Sequence, residues 1–248
     1  MKILSWNVNG IRSIFKKGFL NWLHFSNADI VCLQEIRAQK EQFPKELINP
    51  KGYNLFLNSS FRKGYSGTAI YSKEKPLRIE KTIGFEKFDQ EGRILKIDFK
   101  NFSLLNLYIP HGGRKKENLN YKMEVYEYLL DYIKKEKNLI AVGDFNIAHE
   151  EIDLARPKDN LNNIMFTEEE RVQIDRIIEL GFKDSFRSFN KEGENYTWWP
   201  YFANARERNL GWRIDYVFVS QNLMPKVKDS FILKNVKGSD HCPVGIEL

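Results

Sequence analysis

Leu139-Ile140-Ala141-Val142-Gly143-Asp144-Phe145-Asn146 opens with four apolar residues in succession and closes on an acid, an aromatic and an amide. The apolar part is short and aliphatic, which reads as a strand covered on both faces. Two other segments repeat the pattern. Lys2-Ile3-Leu4-Ser5-Trp6 runs into Asn7-Val8-Asn9, and Ile30-Val31-Cys32-Leu33 runs into Gln34-Glu35. Residues two apart share one face of a strand, so Asn7 with Asn9, and Asp144 with Asn146, are placed to converge. A single polar residue at a strand end ordinarily marks the boundary with solvent. Three endings built from Asn, Asp and Glu, joined by Ser239-Asp240-His241, point instead to one shared site.

Outward from these endings, strands are expected over Lys2 to Val8, Ala28 to Gln34, Thr68 to Ser72, Ile94 to Phe99, Phe102 to Ile109, Leu139 to Val142 and Ile214 to Ser220. Two or three helices separate them. Met123, Val125, Tyr126, Leu129, Leu130 and Ile133 form an apolar stripe at helical spacing, and Thr167-Glu168-Glu169-Glu170 has the form of a capping box opening a helix that stops at Gly181. Strands and helices mixed along the whole chain predict an α/β or α+β fold of packed sheets covered by helices. No linker, repeat or low-complexity tract interrupts residues 1–248, so one domain is expected.

Composition narrows the class. The 248 residues are 42% hydrophobic and 29% charged, too apolar for a disordered chain. The longest apolar run is four residues, against roughly 20 for a membrane-spanning helix. No signal-peptide core follows Met1, and the two cysteines, Cys32 and Cys242, make neither a disulfide framework nor a Cys-rich zinc site. An intracellular, cytoplasmic protein is therefore expected. The net charge is 39 − 33 = +6, which favours anionic partners. Phosphate loops of the P-loop or dinucleotide-binding kind are absent, as is a Gly-x-Ser-x-Gly elbow.

The polar set suits phosphate chemistry. Carboxylate and amide oxygens are the ligands Mg²⁺ or Mn²⁺ prefers, and Glu35 is the best single candidate because it follows a run that reads as fully buried. Asp144-Phe145-Asn146 offers a carboxylate to act as base or to position water, beside an amide that can donate to a developing oxyanion. Asp215 is a charge in an apolar strand and needs a partner, for which His241 is suited. Arg12 with Lys16 and Lys17, Arg62 with Lys63, Arg114 with Lys115 and Lys116, and Arg206 with Arg208 and Arg213 are separated basic groups. Interleaved with Tyr65, Asn160, Asn163, Trp198, Trp199 and Trp212, of which Trp199 is read as core packing, they suit a groove for phosphates and sugars.

Taken in order, Trp6-Asn7-Val8-Asn9-Gly10-Ile11-Arg12, Leu33-Gln34-Glu35, Gly143-Asp144-Phe145-Asn146-Ile147-Ala148-His149, Gly211-Trp212-Arg213-Ile214-Asp215-Tyr216 and Gly238-Ser239-Asp240-His241-Cys242-Pro243 resemble the exonuclease III family of apurinic/apyrimidinic (AP) endonucleases. The resemblance runs from Asn7 to Pro243, nearly the whole chain. It implies a four-layered, DNase I-like sandwich, two packed mixed β-sheets flanked by helices. It also implies Mg²⁺-dependent cleavage of double-stranded DNA on the 5′ side of an abasic site, with Mn²⁺ able to substitute, leaving a 3′-hydroxyl and a 5′-deoxyribose phosphate. Additional 3′-phosphodiesterase, 3′-phosphatase and 3′→5′ exonuclease activities, and a monomer without membrane association, are expected. The alternatives are another DNase I-like nuclease or phosphatase, and a non-catalytic DNA-binding module. The Glu150-Glu151-Ile152-Asp153-Leu154 segment and Gly211-Trp212-Arg213 favour the repair branch.

By the same resemblance Glu35 matches the main metal ligand, with Asn7 and Asp240 close to the metal. Asp144 matches the carboxylate that activates the attacking water, Asn146 the amide beside it, His241 the imidazole at the scissile phosphate and Asp215 its orienting partner. Tyr108 matches a phenol on the phosphate, and Asp144, Asn146 and His241 a provisional second metal site. Asn9, Arg12, Tyr65, Arg114, Asn160 and Asn163 are the expected DNA contacts, and Trp198, Trp212 and Ile214 match the apolar pocket for an extrahelical deoxyribose. Two departures stand out: position 9 is Asn where some relatives carry Asp, and His111 with Lys115-Lys116 is not a fixed pattern in the loop after Tyr108.

Overall fold

The computed structural model describes residues 1–248. Strands β1 (Lys2–Asn7), β2 (Ile30–Gln34), β3 (Asn54–Asn58) and β4 (Thr68–Ser72) enter a first sheet. Strands β5 (Arg78–Glu80), β6 (Ile94–Asp98), β7 (Ser103–Tyr108), β8 (Leu139–Asp144), β9 (Phe182–Asp184) and β10 (Asp215–Ser220) build a second. The chain then returns to the first sheet with β11 (Asp229–Ile232) and β12 (Val244–Glu247). The resulting orders are β11-β12-β1-β2-β4-β3 and β5-β6-β7-β8-β10-β9. Each sheet holds one parallel pair, β1 with β2 and β7 with β8. The polar endings Asn7, Gln34, Tyr108 and Asp144 lie at the carboxyl ends of those pairs, where open α/β sheets commonly bind ligands.

The pleat explains the layering. In β1, Ile3 faces the second sheet while its neighbour Leu4 faces out. Ile3, Ile30, Cys32 and Ile70 pack against Leu95, Ile97, Leu104, Ile140, Val142 and Val217 between the sheets. Leu4, Trp6, Val31 and Leu33 are covered by the helices Ile11–Lys16 and Phe19–Phe25. Leu105, Leu107, Ala141 and Phe218 lie beneath the helices Leu119–Ile133 and Glu168–Glu179. The fold is thus the expected sandwich of two mixed sheets between helical layers. Truncating one of these fully buried aliphatic side chains to Ala costs about 2–5 kcal/mol.

All seven expected strands form, most of them trimmed by a residue or two at one end. Five further strands, β3, β5, β9, β11 and β12, were not expected from the sequence. Four of them, β3, β5, β9 and β11, are sheet edges, and β5 and β9 have three residues each, too few to show alternation. Seven α-helical segments occur rather than two or three, because five are single-turn or two-turn pieces. Both helices expected by position form: the capping box at Thr167 and Glu170 is present, and that helix ends at Glu179. No helix is long and apolar enough to cross a membrane.

Gly143 shows why the strand before Asp144 reads as it does. Its φ is 141°, and an added Cβ would lie 1.9 Å from the Leu107 carbonyl oxygen. Only a residue without a side chain lets β8 approach β7 this closely, and the next residue is Asp144.

Candidate active site

Asp144 ends β8 and is 1% exposed. Its two oxygens accept hydrogen bonds from Asn7 Nδ2 and from the backbone N–H of Asn146, both at 2.9 Å. The register of β8 with β10 sets Asp215 directly opposite. Asp215 Oδ2 lies 2.8 Å from His241 Nδ1, and His241 Nε2 lies 3.8 Å from Asp144 Oδ2. Burial pulls the His241 pKa down, but the charge and hydrogen bond of Asp215, with Asp144 and Asp240 behind them, outweigh it and hold it up to about 10. The ring is an imidazolium at neutral pH. Burial raises the Asp144 pKa to about 7, with His241 opposing and Asp215 adding to the rise. An acid and a base are thereby poised side by side.

Around this centre, Asn9 Nδ2 donates to Asp240 Oδ1 at 2.9 Å and Trp198 Nε1 donates to Asp240 Oδ2 at 3.2 Å. Burial works against an ionised Asp240, but His241 and the hydrogen bonds from Asn9 and Trp198 keep its pKa below the usual value. Asn7 Oδ1 accepts from the Asn9 N–H, and Asn146 Nδ2 donates to the Ile109 carbonyl at 2.9 Å, leaving the second amide hydrogen of Asn146 for another partner. Glu35 has φ 58° and its carboxylate pairs with the Arg37 guanidinium. Tyr108 pairs in register with Asp144, and the Arg93 guanidinium sits 4.5 Å from its ring centre. Burial and the charge of Glu35 push the Tyr108 phenol well above its ordinary pKa, so it stays protonated and able to donate.

Beside His241 a cavity of about 510 Å³ opens, and Arg114, Asn160, Asn163, Trp198 and Trp212 line it. Five expected DNA contacts from four stretches of chain therefore meet at one place. Ile214 is buried against Trp198 and Trp212 at its base. Backbone bridges join Trp198 to Trp212 and to His241. The pocket also takes in His111, Met165 and Phe202, none of which the sequence reading placed there. Phe202 is 69% exposed, and its place beside the cleft shows only once the chain is folded, so no sequence signal marked it.

Comparison with known proteins sets this geometry in a lineage. The sequence matches the Endonuclease/Exonuclease/phosphatase family over residues 4–241. The chain belongs to that family. An exodeoxyribonuclease of Bacillus subtilis is 45% identical to this member of the endonuclease/exonuclease/phosphatase family, with 98% of each chain covered. A DNA-(apurinic or apyrimidinic site) endonuclease of Dictyostelium discoideum is 41% identical over 99% of this chain and 70% of its own length. Among solved structures, an AP endonuclease from Archaeoglobus fulgidus superimposes with a TM-score of 0.91 at 30% identity, covering 100% of this chain and 99% of its own. A 3′ phosphatase from Neisseria bound to a product DNA hairpin gives 0.92 at 28% identity, with the same coverage.

Endonuclease/exonuclease/phosphatase proteins use metal ions, and the donors present here fit a hard divalent cation. Glu35, Asp240 and Asn7 offer carboxylate and amide oxygens. Asp144, Asp215 and His241 also lie within 4.8 Å of one another, but as an imidazolium His241 has no lone pair for a metal, so only the two carboxylates could act as ligands there. Asp215 Oδ1 is buried without a hydrogen-bond partner. An unpartnered oxygen in a crowd of buried acids is the environment a cation relieves.

The structure corrects part of the basic groove. Arg213 is 1% exposed, with its guanidinium on Asp153 at 2.7 Å and Asp184 at 2.8 Å. It is a structural ion pair, because a buried Arg between two buried acids has no face for phosphate. Arg206 donates to the carbonyls of Ser239, Lys234 and Val236 and tethers the loop before Asp240. Arg12 and Lys16 do line an open cleft of about 730 Å³ together with Arg37. Tyr65 is half-buried, and its hydroxyl accepts from Arg93 at 2.8 Å.

The Arg213 pair has a measurable consequence. Burial opposes an ionised Asp153, yet Arg213 and Arg187 outweigh it and hold its pKa at about 2. A depressed carboxyl pKa stabilises the fold above the unfolded-state value near 4 and loses that contribution as pH falls towards 2, a total on the order of 2 kcal/mol. Asp153→Asn is expected to cost about 3–5 kcal/mol at neutral pH, since it leaves the buried Arg213 and the half-buried Arg187 short of an anion. Urea unfolding of both proteins at pH 6 and pH 3 checks this. The gap between them should narrow by about 1 kcal/mol at the lower pH, and a pH-independent gap would contradict the pairing.

Proposed function

We propose that this chain is an AP endonuclease. It is a divalent-metal-dependent phosphodiesterase that hydrolyses the backbone of double-stranded DNA 5′ of an abasic site, leaving a 3′-hydroxyl and a 5′-deoxyribose phosphate. It acts as a monomer and a single domain, with Mg²⁺ as its metal and Mn²⁺ as a substitute. The 3′-phosphodiesterase, 3′-phosphatase and 3′→5′ exonuclease reactions use the same centre. The observation that carries this reading is the backbone bridge from Trp198 to His241. It supports the reading because it holds an aromatic-walled pocket, which would suit a bare sugar, beside the imidazolium that would meet the phosphate.

Each residue then has a role set by its surroundings. Asp144, held by Asn7 and by the Asn146 N–H, takes a proton from the attacking water. Asn146 aligns that water with its remaining amide hydrogen. The imidazolium of His241, oriented by Asp215, donates from Nε2 to a phosphoryl oxygen, and Tyr108 donates its phenolic proton to another. Glu35, Asp240 and Asn7 hold the metal, which when bound neutralises charge on the phosphate and its leaving oxygen.

A duplex carrying one abasic analogue, assayed with and without Mg²⁺ beside an undamaged duplex, tests the proposal. Metal-dependent incision confined to the abasic strand is the expected result. Equal cleavage of both duplexes would assign the chain to a non-specific nuclease.

Electrostatics give a second test. If Lys and Arg neutralise phosphates, log affinity should fall by roughly 0.9 per log unit of salt for each duplex phosphate contacted. Arg114 is exposed at the rim of the pocket. Arg114→Ala should shrink that slope for abasic and intact duplex alike, because a backbone contact carries no sequence information. Salt-independent binding would contradict the groove.

A further inference from the structure

Beneath the site two opposite charges are wholly enclosed. Lys122 and Glu170 are each 0% exposed and are paired at 2.5 Å. Taking two such ions out of water costs several kcal/mol per ion, and apolar residues of equal volume often serve stability as well or better. The pair therefore calls for a reason beyond holding two helices together, and its remaining hydrogen bonds supply one. Lys122 Nζ donates to the Asn146 carbonyl at 2.6 Å and to the His111 carbonyl at 3.4 Å. Glu170 accepts from the Met165 N–H at 3.0 Å, and from the N–H and hydroxyl of Thr167.

One ion pair thus gathers four segments. Asn146 belongs to the turn after β8 and holds φ 52°, the left-handed region that asparagine enters more readily than other non-glycine residues. His111 begins the loop that carries Arg114, and Met165 lines the pocket. The stem of Lys122 also packs tightly under that loop: a Cβ on Gly112 would come within 3.3 Å of Lys122 Cδ.

We infer that Lys122, fixed by Glu170, is a positioning residue for the reaction, holding the Asn146 peptide so that its side-chain amide meets the attacking water. This rests on the reading of Asn146 given above. The ammonium touches neither substrate nor metal. It acts by supplying a strong, charge-assisted hydrogen bond to the carbonyl of the turn residue whose side chain it positions. Misplacing a reacting group by about 1 Å costs a rate factor on the order of 100.

The test removes the donor without stranding a charge. In the double variant Lys122→Met/Glu170→Gln, methionine fills the stem and glutamine keeps the capping box, which accepts either Glu or Gln at that position. The single-turnover incision rate of an abasic duplex should fall about 10- to 100-fold. The Kd for the same duplex in EDTA should stay within about threefold, since the pocket walls remain. A residue that only stabilised the fold would move neither quantity per binding-competent molecule, so rates are normalised by active-site titration in EDTA. Lys122→Gln/Glu170→Gln, which keeps a shorter donor, should recover part of the rate and serves if the methionine pair does not fold. A folded methionine pair that incises within about threefold of the parent overturns the inference, as does a glutamine pair with unaltered rate when the methionine pair is lost. A parent protein that fails to incise abasic duplex would remove the functional reading itself, a result distinct from either.

Discussion

Asp144→Asn is expected to lower single-turnover incision by about 10²–10⁴-fold while duplex binding persists. The substitution keeps size and leaves Asn7 and the Asn146 N–H in place, but removes the only buried carboxylate oxygen that both faces His241 and is held up near neutrality. Glu35→Gln should also lose most activity, by a different route: it weakens one oxygen ligand and frees Arg37 from its pair. Added Mg²⁺ should partly restore Glu35→Gln and leave Asp144→Asn unchanged, because mass action repairs a weak site but not a missing base. Titrating the rate of each variant against Mg²⁺ separates the two roles. Full activity of Asp144→Asn at neutral pH would remove the water-activating assignment.

Trp212→Ala should change what the protein accepts more than how tightly it binds. An abasic nucleotide has no pair to break and little stacking to lose, so it leaves the helix at low cost, and an aromatic-walled pocket excludes nucleotides that still carry a base. Trp212 forms that wall with Trp198, their ring centres 6.5 Å apart and nearly perpendicular, and Phe166 packs edge-on behind Trp212. Removing the ring enlarges the pocket and strips its packing from the sugar. Incision at abasic sites should weaken by roughly 2–4 kcal/mol in transition-state terms, in line with loss of a large aromatic contact, while attack on base-bearing nucleotides rises relative to it. The readout is the ratio of kcat/KM for abasic and intact duplex, with thermal unfolding in parallel. An unchanged ratio in a folded variant would assign Trp212 to packing and move recognition to Phe202 and Met165.

Much of this site was legible because its residues sit at strand ends, where an unbroken apolar run makes the polar stop conspicuous. Asp144, Asn7 and Glu35 were visible for that reason, and Asp215 because a charge inside an apolar strand demands a partner, which proves to be His241 at 2.8 Å. Arg213 was misread for the opposite reason. Its partners Asp153 and Asp184 lie in distant segments, and a sequence does not show which cations fold inward onto acids. Lys122 was hidden in the same way, inside a helical pattern, and Glu170 was legible only as a helix cap. The edge strands escaped because their order depends on a neighbouring strand rather than on any period of their own.

The placement of β12 beside β1 has a bearing on how the molecule comes into being. Lys2 pairs with Glu247, so the first sheet closes only across nearly the full chain, whereas β5 to β10 hold every strand of the second. Contacts this far apart in sequence form late and slowly. Synthesis proceeds from the N-terminus at about 5–20 residues per second, which gives the second sheet time to assemble while β11 and β12 are still unmade. Asp240 and His241 emerge in the same stretch as β11 and β12, after β10. A chain that has emerged only as far as β10 thus carries Asp144 and Asp215 without His241, and their cluster is complete only as the two sheets come together.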